Sequence, residues 1–167
     1  MQVNSLCVDL GEHGDAMCCA ISPGAPLLAT GLISGHLVLH TYAFGEPPAA
    51  DSTKKGPKAK AGQPLSSVKK GGPVLSAELA HEVDAHPGEH SCRALTFVGS
   101  GDSIVTGSSD CSLALFDTAT GALVRRVAAA HDAELSALFA AGAPYGHLLA
   151  SGDEAGVVKL WDLRSKV

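Results

Sequence analysis

Aromatic residues are scarce in this sequence: they make up 4% of its 167 residues and include a single tryptophan. A core built with so few rings must rest on many smaller contacts, and apolar residues at 46% of the chain supply them. Long hydrophobic runs are also missing, and none approaches the roughly 20 residues a membrane-spanning helix needs. The opening residues, from Met1 to Asn4, lack the basic-then-apolar order of a secretory signal. Positive charge is not in excess either. The net charge of −5 argues against a dedicated nucleic-acid-binding domain. Cys7, Cys18, Cys19, Cys92 and Cys111 are odd in number and show no Cys-x-x-Cys spacing. They read as reduced thiols of a soluble intracellular protein. Gly-x-Ser-x-Gly, a phosphate-cradling Gly-rich loop followed by Lys, and His-Glu-x-x-His are all absent, so the expectation is a protein that is not an enzyme and carries no cofactor.

What the sequence does contain is a repeat. Ala29 to Thr41 aligns without gaps to Val105 to Asp117, and both align to Ala150 to Asp162. Gly31, Gly107 and Gly152 open a turn in each copy, where an absent Cβ leaves the backbone free to bend. Leu39, Leu115 and Leu160 share one position, expected to face inward. His40, Phe116 and Trp161 share the next. Ahead of each turn lies a short apolar run: Ala16 to Ile21, Cys92 to Phe97 and Leu135 to Phe139. Further strands are expected over Val3 to Asp9, Val74 to Val83 and Ala122 to Val127. Turn residues interrupt every candidate helix, and short strands at even spacing point to an all-β, antiparallel architecture.

Gly107 and Gly152 stand 45 residues apart, at the period of roughly 40–45 found in propeller blades. Gly31 and Gly107 stand 76 apart, and the excess falls in Gly45 to Pro73. That stretch is rich in Pro, Gly, Ala and Lys, with too little apolar surface to order itself. The expected organisation is a first unit over 1–44, an insertion over 45–73, a second unit over 74–127 and a third over 128–167. Lys54, Lys55, Lys58, Lys60, Lys69 and Lys70 give the insertion half of the chain's 12 basic residues. Clustered lysines attract phosphate, as in a nuclear-import signal or a weak RNA contact. The plainer alternative, a solvated insertion kept soluble by its charge, carries more weight.

The ending Leu160-Trp161-Asp162, with its two companions, resembles the WD repeat, the unit of one family of β-propellers. The resemblance implies about three four-stranded blades of a seven-bladed ring. Three such units cannot close a ring, so apolar faces are expected at the ends and the chain is expected to be part of a larger propeller. It also implies a buried relay from a His before the inner strand, through an Asp in the turn, to the Trp. His131, Asp110 and Trp161 match parts of that relay and are assigned structural roles. Ala155 stands where the third unit's turn Asp is expected, and Phe116 replaces the second unit's Trp. His81, His86, His90 and Cys92 are the nearest approach to a metal-ligand set, but no Cys pair accompanies them, and no metal is expected.

Within this class, His90 to Phe97 followed by Ile104 to Asp110, and Ala129 to Leu135 leading into Leu149 to Arg164, are similar to the family of WD repeat-containing protein 55. The resemblance is best from about His86 to Arg164. It implies a non-catalytic nucleolar scaffold acting in ribosomal RNA processing and large-subunit biogenesis. Its partners would be pre-ribosomal assembly factors, with RNA contact weak or indirect and no direct membrane contact. The implied location is nucleus and nucleolus, with the cytoplasm left open. An alternative rests on Trp161-Asp162-Leu163-Arg164, which resembles the Trp-Asp-x-Arg box of substrate receptors for cullin-RING ubiquitin ligases. There Trp161, Asp162 and Arg164 would contact the ligase adaptor. An Arg after Trp-Asp-x is also frequent in WD repeats of other functions.

Overall fold

The computed structural model describes residues 14–45 and 74–165, together with Val8 and Leu10. Among the described residues there is no helix. Those residues hold eleven strands in three antiparallel sheets, each a simple meander. The first holds β1 (Ala16–Ile21), β2 (Leu27–Leu32), β3 (His36–Gly45) and β4 (Val74–Asp84). The second holds β5 (Cys92–Val98), β6 (Ser103–Ser108), β7 (Leu113–Asp117) and β8 (Leu123–Val127). The third holds β9 (Leu135–Ala140), β10 (Leu148–Asp153) and β11 (Val158–Asp162). The apolar runs that precede the turns are the first strands β1, β5 and β9, as their alternation indicates. The strand expected over Val3 to Asp9 and the lysines from Lys54 to Lys70 lie outside the described residues.

One boundary differs from expectation. β4 pairs with β3 from His36↔Asp84 to Gly45↔Val74 and so completes the first sheet. The unit expected over 74–127 therefore gives its first strand to the preceding blade, and the second sheet begins at Cys92. A repeat read from sequence has an arbitrary phase, whereas a blade is defined by which edge the next strand pairs with. β3 ends at Gly45 and its partner β4 resumes at Val74, so the insertion separates two paired strands in sequence.

The sheets stack face to face. Ala29, Leu37 and Leu39 of the first meet Leu95, Phe97, Ile104 and Phe116 of the second. Val105, Leu113 and Leu115 on the second sheet's other side meet Leu135, Leu149, Trp161 and Leu163. Period-two alternation thus sends Ile104 one way and Val105 the other, and both are buried because a sheet lies on each side. Fully burying a side chain such as Leu39 or Ile104 is worth about 1.5–3 kcal/mol.

The equivalence of Leu39, Leu115 and Leu160 holds in register, opposite Ala29, Val105 and Ala150. It does not hold in burial. Leu39 is fully buried, whereas Leu160 is 81% exposed, with Val158 and Phe139 exposed beside it. They occupy the third sheet's far face, against which no further sheet packs among the described residues.

The turn joining the second and third strands of each sheet needs a residue in the left-handed region four positions after its opening glycine. Gly35 (φ 85°) and Gly156 (φ 83°) fill it in the outer two sheets, and Cys111 (φ 64°) fills it in the middle one. A side chain there strains against the following carbonyl. Cys111→Gly is expected to raise stability by up to about 1 kcal/mol, as less strain outweighs the greater freedom of glycine in the unfolded chain. Urea unfolding of the two proteins checks this.

Candidate functional site

The polar residues that the repeat brings together lie between the sheets and at the end of β11. His131 sits in the segment leading from β8 into β9. Its backbone N–H and that of Ala130 donate to the Cys111 carbonyl at 3.2 and 3.0 Å, which ties the segment to the preceding blade's turn. The imidazole is buried, 2% exposed. Its Nδ1 lies 2.8 Å from Asp153 Oδ2 and its Nε2 lies 2.6 Å from Ser151 Oγ, while Trp161 Nε1 lies 2.7 Å from the same Oγ.

The proton order follows from what each group can do. Indole N–H only donates, so Ser151 Oγ accepts from Trp161 and gives its own hydrogen to His131 Nε2. Nδ1–H then donates to the carboxylate. Asp153 Oδ1 also accepts from the amides of Val157 at 2.8 Å and Ala155 at 3.1 Å. Those bonds, from Val157 first and then His131, hold the Asp153 carboxyl below its ordinary range.

The relay in the third blade is therefore complete, contrary to the expectation from Ala155. Its acid comes from Asp153, two positions earlier in the turn. From there one carboxylate both receives the imidazole and closes the turn's own backbone amides. His131 and Trp161 meet in this relay, with ring centroids 6.4 Å apart. Asp110 belongs to a different one.

That second relay is centred on His86, fully buried, which the sequence suggested only as a candidate ligand. His86 Nε2 lies 2.9 Å from Thr106 Oγ1, whose hydroxyl donates to the Ala114 carbonyl at 3.4 Å. Nε2–H is thus the donor to Thr106. Nδ1 faces Ser112 Oγ at 3.1 Å and Arg126 Nη1 at 3.4 Å, with Asp110 Oδ2 3.5 Å away. Asp110 Oδ1 accepts from the Ser112 amide at 2.8 Å. Arg126 Nη2 donates to the Ala85 carbonyl at 2.5 Å. Burial pushes the His86 pKa down to about 4, and Arg126 adds to that while Asp110 opposes it. Burial raises the Asp110 carboxyl, but the Ser112 hydrogen bonds outweigh it and leave the pKa lowered. Phe116 packs where Trp161 stands in the third sheet and ends the chain of hydrogen bonds at Thr106.

A signal for His86 is present in the sequence. His131 and Ser151 are 20 positions apart, and so are His86 and Thr106. In the first sheet the corresponding positions hold Thr30 and His40. His40 is buried, with Nδ1 lacking a hydrogen-bond partner among the described residues.

The four candidate metal ligands do not form a set. His81 Nε2 bonds the Ala119 carbonyl at 2.9 Å, His86 is committed to its relay, His90 is exposed and Cys92 is buried on β5. No group of three or more His, Cys, Asp or Glu able to hold a metal occurs among the described residues.

At the end of β11, Trp161 is turned inward by its bond to Ser151. Asp162 and Arg164 face outward. Arg164 Nε and Nη2 donate to Asp162 Oδ1 and Oδ2 at 2.9 and 2.6 Å, and the Arg164 amide donates to Oδ1 at 3.0 Å. This fork holds the Asp162 carboxyl far below its usual range and raises the guanidinium. The Arg164 side chain remains 67% exposed. Sequence reasoning missed Arg93, which ties β5 to Glu134 and Glu154 of the third blade in a two-carboxylate clamp.

Meandering sheets stacked about shared apolar faces, with a His–Ser–Trp relay under a Trp-Asp ending, define the class: this is a WD-repeat protein, built of β-propeller blades. Residues 77–117 and 124–162 match the family model for the WD domain, G-beta repeat. The matched units start within β4 and β8, which places the family's repeat boundary one strand ahead of the sheet boundary.

More particularly, the chain resembles the family of WD repeat-containing protein 55. It is 35% identical over 162 residues to WD repeat-containing protein JIP5 of Mycosarcoma maydis, covering 94% of this chain and 32% of that protein. To WD repeat-containing protein 55 of Arabidopsis thaliana it is 31% identical over 159 residues, covering 95% of this chain and 35% of that one. Among solved structures it is similar to Sqt1 from Chaetomium thermophilum, with a TM-score of 0.59 and 22% identity over 89% of this chain and 31% of that one. The chain thus spans about a third of the length of these relatives.

Proposed function

We propose that the chain acts as a non-catalytic scaffold for protein–protein interaction in ribosomal RNA processing and large ribosomal subunit biogenesis, in the nucleus and nucleolus. The observation that carries this reading is the similarity to JIP5 and WD repeat-containing protein 55 over nearly the whole chain. The structure supports the scaffold part. His86 and His131, with the Thr106, Ser112 and Ser151 hydroxyls and the Asp110 and Asp153 carboxylates, are engaged in relays that hold the turns. Pre-ribosomal assembly factors are the expected partners. Affinity capture from a nuclear extract followed by mass spectrometry tests it. Enrichment of large-subunit assembly factors and precursor RNA is the expected result, and a capture empty of both would refute the proposal.

A second reading concerns Arg164. Its guanidinium is exposed and its fork is held in place by Asp162, which suits recognition of a carboxylate-bearing ligase adaptor. The inward turn of Trp161 leaves Asp162 and Arg164 as the contacting pair. Arg164→Ala is expected to abolish adaptor capture while leaving the melting midpoint unchanged. Retention of adaptor by the variant would eliminate this reading. For the lysine insertion we propose no more than a solvating role. Deleting residues 54–70 is then expected to leave localisation unchanged, which fluorescence imaging of the tagged chain would read; loss from the nucleus would instead establish an import signal.

A further inference from the structure

The seam between the first two blades brings two thiols together over a glycine. Cys18 lies on β1 and Cys92 on β5, 74 positions apart in sequence. Cys18 faces Gly31 across the β1–β2 ladder. A Cβ built on Gly31 would sit 2.7 Å from Cys18 Sγ and 2.6 Å from Cys92 Sγ. Both sulfurs therefore crowd into the space that the missing side chain leaves. Cys18 Sγ also approaches the Cys92 carbonyl at 3.5 Å. The two thiols differ in access: Cys18 is partly exposed, while Cys92 is fully buried. The contact between the two thiol side chains lowers the Cys18 thiol below its ordinary range, and the same contact with burial raises Cys92.

We propose that Cys18 and Cys92 are a redox pair, oxidised by hydroperoxide to a disulfide that staples the inner strands of adjacent blades. The Cys18 thiolate attacks one oxygen of hydrogen peroxide, whose O–O bond breaks. The second oxygen leaves as hydroxide, becomes water on protonation, and Cys18 is left as a sulfenic acid. The Cys92 sulfur, losing its proton, then attacks the Cys18 sulfur. The S–O bond breaks and a second water leaves. Two thiols and one peroxide thus yield one disulfide and two waters. Partial exposure suits Cys18 to the first step, and burial beside it suits Cys92 to the second. Cys19 is the next residue along β1, and alternation turns it to the opposite face. Cys111 lies in the turn between β6 and β7, its Sγ 3.9 Å from the Ser109 carbonyl.

The test uses the full chain, reduced, treated with hydrogen peroxide and quenched with N-ethylmaleimide. Mass spectrometry of unreduced peptides should find Cys18 joined to Cys92, with the link lost on treatment with dithiothreitol. Closing so long a loop should also raise the melting midpoint of the oxidised form. In Cys92→Ser, and independently in Cys92→Ala, peroxide should leave a dimedone-reactive sulfenic acid at Cys18. In Cys18→Ser, Cys92 should stay unoxidised. Linkage of Cys18 to Cys7 or Cys19, or over-oxidation of Cys18 in the wild-type chain with Cys92 still free, would overturn the proposal.

Discussion

His131→Ala is expected to cost about 3–4 kcal/mol, the largest loss of any single substitution considered. Among the described residues the imidazole alone links the Asp153 carboxylate to the Ser151–Trp161 pair. Its removal leaves a buried carboxylate oxygen and a buried hydroxyl without their partner, together with a cavity the size of a ring. Against a typical domain stability of about 5–15 kcal/mol, that is a large fraction. Trp161 is the chain's only tryptophan and a member of the relay, so its fluorescence reports on the third blade directly. Urea titration followed at that signal should show a lower midpoint with an unchanged slope. A midpoint within error of the wild type would show that the relay is not holding the blade.

The second large effect is a loss of stability on mild acidification. Burial holds the folded-state pKa of His86 at about 4, whereas an imidazole in the unfolded chain titrates near 6.5. As the pH falls from about 6.5 to about 4, the unfolded state takes up a proton that the folded state refuses. Stability is therefore full above the unfolded value and declines through that window, by roughly 3 kcal/mol if the whole shift is expressed. His40, also pushed down by burial, adds a slope of the same sign. Asp110 and Asp153, both lowered, act in the same direction but only as the pH enters the carboxylate range. His86→Asn separates these contributions. It should be less stable than the wild type at pH 7.5 and should lose less on going to pH 5. An identical slope in the two proteins would mean that His86 is not the group refusing the proton.

The strands were legible because each is short, alternating and bounded by a turn with its own chemistry. Gly31, Gly107 and Gly152, expected to open a turn, instead hold one equivalent place near the end of β2, β6 and β10, and the 45 residues from Gly107 to Gly152 indicate a repeat of blade size. Where reading from sequence went astray, the missing information was three-dimensional. β4 follows the insertion and looks like the start of a new unit, but hydrogen bonding to β3 assigns it to the old one. Leu160 has the same place in its strand as Leu39, yet one is exposed and the other buried, because burial depends on the neighbouring sheet and not on the strand itself.

The relay was only half legible for a chemical reason. A carboxylate has reach, so the acid need not occupy one fixed position in the turn, and Asp153 serves as well as a residue at 155 would. His86 was obscured by the neighbouring His81 and His90, which made it look like part of a ligand cluster. Its 20-residue separation from Thr106, matching that of His131 from Ser151, was the more informative signal. Arg93 left no trace in the repeat pattern, since its carboxylate partners come from two separate segments of the third blade.

The central claim is that Asp153 does in the third blade what Asp110's position does in the second, and moving the carboxylate tests it most directly. The measurement is the melting midpoint of Asp153→Ser alone and of Asp153→Ser with Ala155→Asp, which gives the third turn the second blade's Ser-x-Asp order. The account predicts a marked fall for the single variant and recovery of most of the loss in the double. A single variant that melts with the wild type, or a double variant no better than the single, would contradict it.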